Sequence, residues 1–138
     1  MHEIKSPLKR SSKPLKRTKL RRRSKSKATL DKADRQLQDW YRAQKLDCEV
    51  CGAKQQVMHH FVPKSLSNNL RFDEYNLIPL CHACHFEHHH KGNPTIHGTI
   101  IAKKGWEWYE WIQEARSVHR PPYTKKELES IIEKYKVC

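Results

Sequence analysis

Two cysteine pairs, Cys48-Glu49-Val50-Cys51 and Cys81-His82-Ala83-Cys84, bracket the middle of this chain and limit how it can fold. Four thiolates at paired two-residue spacing can close a tetrahedron around one zinc ion, with Zn–S bonds of about 2.3 Å and no position left open for chemistry. Such a zinc is structural. It ties together the two ends of the segment between the pairs, and so brings the His59-His60 dipeptide near His85, which directly follows the last cysteine. Disulfides or a redox site are the other uses of paired cysteines. No apolar run long enough for a signal peptide or a membrane helix occurs, so the thiols are expected in a reducing compartment, where zinc is favoured.

Only 36% of the 138 residues are hydrophobic, enough for one domain but not for a core that includes the whole chain. Charge marks the part left out. Residues 1–27 hold 12 Lys or Arg and one Glu, a net +11 of the chain's +13, whereas 28–138 are nearly balanced. Between those charges stand mostly Ser, Pro and Leu, too few apolar groups to offset the entropy of ordering, and a disordered basic tail is expected. Pro7-Leu8-Lys9-Arg10 recurs as Pro14-Leu15-Lys16-Arg17, which spaces positive charge along a chain that would release counterions when laid on phosphates. Nucleic acid is the expected partner; a solubilising tail, a localisation signal and an anchor to anionic lipid are the alternatives. Cys138 is left over and reads as an unpaired surface thiol.

In the domain at 28–138, residues 29 to 45 place Leu30, Ala33, Leu37, Trp40 and Tyr41 at helical spacing. Gln56-Val57-Met58 runs as a strand into His59-His60, and Phe61-Val62-Pro63 ends it. Residues 64–74 read as a polar loop with Leu66, Leu70 and Phe72 packed inward. Tyr75-Asn76-Leu77-Ile78-Pro79-Leu80 is a second strand, and a short helix over 84–90 follows. Asn93-Pro94 caps a helix with Ile96, Ile100 and Ile101 on its buried face. In the next helix Trp108, Trp111, Ile112 and Ala115 form a core stripe, with Trp106 and Tyr109 off it. Thr124 and Glu127 make a capping box for a last helix to about residue 137, carrying Leu128, Ile131, Ile132 and Tyr135 on one side. The fold class is α+β: a small two-stranded core over 46–92 stapled by four cysteines, with a helical extension over 93–138.

Met58-His59-His60-Phe61-Val62-Pro63, then Asn76-Leu77-Ile78-Pro79-Leu80-Cys81, then Cys84-His85 resemble the HNH endonucleases and their ββα-metal site. The resemblance covers Cys48 to about His90, roughly a third of the chain. It implies His60 as general base, His59 and His85 as metal ligands, and Asn76 as the central Asn that braces the loop and helps orient the base. Many zinc-stapled relatives carry Asp at the first of these positions and Asn after the last cysteine, whereas this chain has His at both. His89, four residues after His85, then resembles the His-x-x-x-His of the zinc-dependent bacterial DNase toxins, with His88 as the competing third ligand. An all-imidazole set suits zinc, nickel, manganese or cobalt better than carboxylates do, with magnesium still open.

The function implied is metal-dependent hydrolysis of DNA phosphodiester bonds, with a structural zinc and one catalytic divalent ion. The basic leader and the His-His variant also resemble the small recombination-associated HNH proteins of bacteriophages. That implies branched or single-stranded DNA as substrate, no membrane or small-molecule partner, and the cytoplasm of a bacterial or phage-infected cell. A non-catalytic zinc-stabilised nucleic-acid-binding module is the main alternative, and a metal-sensing or metal-storage protein a third. Lys64, Arg71, Lys91, Lys103 and Lys104 are candidate phosphate contacts, and His82, His88 and His90 read as solvated or phosphate-facing. His2, His97 and His119 carry no signal.

Overall fold

In the computed structural model, which describes residues 24–137, strands β1 (Val57–His60) and β2 (Leu77–Leu80) pair antiparallel. Val57 stands opposite Leu80, His59 opposite Ile78 and His60 opposite Leu77. Side chains alternate across a strand, so Val57, His59, Ile78 and Leu80 share one face while Met58, His60 and Leu77 share the other. The elements around this hairpin are α1 (Lys25–Ala43), a 3₁₀ turn (Glu74–Asn76), α2 (His82–His89), α3 (Pro94–Lys104), α4 (Trp106–Ser117) and α5 (Lys125–Lys134).

Each face of the hairpin has its own core. Ile78 and Leu80 pack with Cys48, Cys81, Cys84, Phe61, Val62 and Leu70, and with Ile96, Ile100 and Ile112 from α3 and α4. Met58 and Leu77 pack with Leu37 of α1 and Tyr135 at the end of α5, flanked by Trp40 and Tyr41. The outer edge of β1 is covered by α1: Gln38 accepts the Met58 N–H (2.9 Å) and donates to the Met58 carbonyl (2.8 Å), satisfying backbone groups that an edge strand leaves unpaired.

Several boundaries differ from those read in the sequence. The first helix starts at Lys25, four residues early, because Ser24 serves as N-cap and its hydroxyl accepts the Lys27 N–H. Residues 25–27 are therefore helix rather than tail; residues 1–23 and Cys138 lie outside the described residues. Tyr75 and Asn76 belong to the 3₁₀ turn, not to the strand, since the Asp73 carboxylate caps the Tyr75 N–H. α2 begins at His82, with the Cys81 sulfur accepting the Cys84 N–H as cap.

Leu66 is 57% exposed while Leu70 is fully buried, so only part of the expected loop packing occurs. On α4, Trp108, Ile112 and Ala115 face the core, but Trp111 is 41% exposed and Trp106 64%. The Asn93-Pro94 start of α3 and the Thr124–Glu127 capping box of α5 are present as expected. Among the described residues no helix is long and apolar enough to cross a membrane.

Candidate metal centre and catalytic histidines

Cys48, Cys51, Cys81 and Cys84 bring four sulfurs within 4.8 Å of one another. The first pair sits in a knuckle closed by the Asp47–Lys54 bridge, where Gly52 takes a φ of 75° that an L side chain rarely adopts. The second pair opens α2. Cys51 and Cys81 sulfurs lie 3.6 Å apart, far beyond the roughly 2.05 Å of a disulfide and close to the edge of about 3.8 Å that a tetrahedron with Zn–S bonds near 2.3 Å requires. All four thiols are free. The cluster is compatible with a structural zinc that ties the knuckle to α2.

A second cluster begins one residue further along that helix. His59, His85 and His89 place one ring nitrogen each within 4.8 Å of the others, and His59 Nδ1 stands 3.1 Å from His89 Nε2. Two imidazoles on one tetrahedral ion, with metal–nitrogen bonds near 2.05 Å, would be separated by about 3.3 Å. His59 is buried, and its Nε2 has no hydrogen-bond partner. Burial, with His88, His89 and His85 nearby, pushes its pKa down to about 2, and burial first of all lowers His85 to about 4. Imidazoles with no carboxylate among them suit zinc, cobalt or nickel better than magnesium, which prefers oxygen. His88 lies beside the cluster, its ring 4.9 Å from His59, but outside the set of three.

His60 is on the opposite face of β1 and at its end. Its Nε2 is 2.9 Å from the Arg71 carbonyl, which can only accept, so Nε2 carries the proton and Nδ1 keeps its lone pair. Burial lowers its pKa, which keeps the ring neutral. The Arg71 side chain, in turn, forms a two-point ion pair with Asp34 of α1.

Asn76 is fully buried and spends its side chain on backbone: Oδ1 accepts the Val62 N–H (2.8 Å), and Nδ2 donates to the carbonyls of Val62 (3.0 Å) and Leu70 (3.1 Å). Leu70 precedes the residue whose carbonyl holds His60. Asn76 therefore braces the loop that carries the Arg71 carbonyl. Its replacement by Ala leaves the Val62 N–H and carbonyl unpaired, while the Leu70 carbonyl keeps the Asp73 N–H, and is expected to cost about 2 kcal/mol or more; a wild-type midpoint in chemical denaturation would contradict this.

A family model described as the Bacteriophage Lambda NinG protein matches residues 3–138. The chain belongs to the NinG family. The match takes in both clusters and nearly all of the basic N-terminal segment. The chain is also similar to a mitochondrial DNA mismatch repair protein mutS homolog of Sarcophyton glaucum, 36% identical over 64 residues. That stretch is 44% of this chain but only 6% of the relative's length. No solved structure matches the chain.

In this NinG-family chain each of the expected phosphate-contacting cations also has a protein partner. Arg71 and Lys64 both meet Asp34, Lys91 pairs with Glu87, Lys103 donates to the Glu49 carbonyl, and Lys104 lies 4.0 Å from the Glu49 carboxylate. Partners far apart in sequence, such as Asp34 for Arg71, leave no local signal. His82 and His90 are exposed, His90 stacked on Phe86. His97, silent in the sequence, stacks with Phe61 and with His88 beside the cluster.

Proposed function

We propose that this NinG-family chain is a metal-dependent endonuclease of the HNH type that hydrolyses DNA phosphodiester bonds in phage recombination. The observation that carries the reading is His60: a neutral imidazole whose proton is committed to the Arg71 carbonyl, leaving Nδ1 as a base one residue from the His59, His85 and His89 cluster. The strand ends at His60, so a phosphate lying across that end can meet the base from one face and the cluster from the other.

In this account His60 Nδ1 accepts the proton of the water that attacks phosphorus, and the Arg71 carbonyl holds the ring in place and stabilises the imidazolium that results. His59, His85 and His89 would hold one divalent ion, which supplies Lewis-acid stabilisation of charge on the phosphate and the leaving 3′ oxygen. Asn76 and the Asp34–Arg71 pair keep the loop carbonyl at hydrogen-bond distance from His60. The resemblance to HNH enzymes implies 5′-phosphate and 3′-hydroxyl ends. Nicked product that ligase reseals without end repair is the expected result, and 3′-phosphate ends would contradict this mechanism.

The basic N-terminal segment, outside the described residues, supports DNA as partner by its charge. Removing residues 1–23 should flatten the dependence of DNA binding on log salt, by about 0.9 for each phosphate that the segment neutralises. An unchanged slope in anisotropy titrations would take that segment out of the interface.

A further inference from the structure

The nuclease reading uses His59, His60, His85 and His89 and leaves a second pair of imidazoles without a task. His97 of α3 stacks on Phe61, ring centroids 4.5 Å apart and planes at 16°, and is also nearly parallel to the His88 ring, at 5.9 Å and 8°. Phe61 is buried and braced edge-on by Trp108 at 4.8 Å. The His88 ring is 4.9 Å from both His59 and His89. The two extra rings thus extend the array of imidazoles beyond the cluster, in steps of 4.9 and 5.9 Å.

Both rings are half-buried, and among the described residues neither makes a hydrogen bond to protein. A phenylalanine would fill the stack at position 97 as well, so stacking on Phe61 alone does not call for the ring nitrogens of His97. The stack fixes the ring planes and leaves their N–H edges free, as a preorganised contact requires. Glu87, the carboxylate of α2, is turned to Lys91 and Asn93 and would not oppose an anion.

We propose that His97, together with His88, donates hydrogen bonds to the backbone phosphate next to the one that is cleaved. This rests on the nuclease reading for the identity of the ligand. Phosphate contacts of this kind set the register of the strand and carry no sequence information.

The test compares full-chain wild type with His97→Phe, which keeps the ring stack and removes the donor, and with His97→Gln, which keeps a donor. Three quantities are read: the dissociation constant of a labelled DNA oligonucleotide, KM and kcat for its cleavage, and the absorbance spectrum of cobalt(II) bound at the histidine cluster. A hydrogen bond to a charged group corresponds to a loss of about tenfold or more in affinity. His97→Phe should therefore raise Kd and KM by about tenfold, with kcat and the cobalt spectrum unchanged, and His97→Gln should stay near wild type.

Wild-type binding by His97→Phe would overturn the proposal. So would a fall in kcat at unchanged KM, or binding by His97→Gln as weak as that of the Phe variant. Absence of cleavage by every protein would count against the nuclease reading alone, because the binding comparison stands without it.

Discussion

His60→Ala is expected to lower DNA cleavage by at least about 100-fold, the lower end of what a positioned general base contributes, while DNA binding and both cysteine pairs stay as they are. The fold tolerates the change because His60 lies at the end of β1, only partly buried, and contributes one hydrogen bond to a loop carbonyl. Losing that bond costs about 1 kcal/mol, whereas losing Nδ1 removes the only imidazole of the hairpin whose lone pair is free and not part of the three-histidine cluster. Unfolding of the variant, seen as a large drop in Tm, would mean that His60 is a packing residue. Full cleavage by a folded variant would assign the base elsewhere.

The second large effect is expected at the cysteines. Cys84→Ala should unfold the hairpin and α2 together and abolish metal uptake at the histidine cluster too. Apparent zinc affinity in small zinc-dependent folds is about 10 to 16 kcal/mol, as large as the whole stability of a typical domain, about 5 to 15 kcal/mol. α2 has only eight residues, too few to hold helix by itself, and the Cys81 sulfur caps its first turn. His85 directly follows Cys84 and His89 follows a turn later, so release of the helix disperses the histidines as well. One bound zinc and one further divalent ion per wild-type chain, by elemental analysis, should fall to none in the variant. A Cys84→Ala protein with the wild-type Tm and both metals would show that the sulfurs are merely core.

What the sequence reveals here depends on how local the cause is. The paired cysteines, the His59-His60 alternation and the caps at Asn93 and Thr124 are set by residues a few positions apart, and the structure places them as their spacing implies. The choice between His88 and His89 turns on whether a helix face returns after three residues or four, and only the hairpin packed against α2 brings His89 rather than His88 into one set with His59 and His85. The same limit explains Trp111: spacing puts it in one stripe with Trp108 and Ile112, yet the rotation of α4 against Phe61 leaves it exposed. Arg71 shows no partner in the sequence because its carboxylate is 37 residues away on α1. His97 gives no signal at all, since its stack joins three separate elements. The start of α1 is hidden in a run of lysines and serines, where one serine serves as a cap.

The most direct test is incubation of the full chain with supercoiled plasmid and, separately, magnesium, manganese, nickel, cobalt and zinc, with His60→Ala and a chelator as controls. The account predicts nicking with at least one of the transition ions, lost in both controls. Binding without cleavage under every ion, on plain and on branched DNA, would contradict it and leave a zinc-stapled nucleic-acid-binding module.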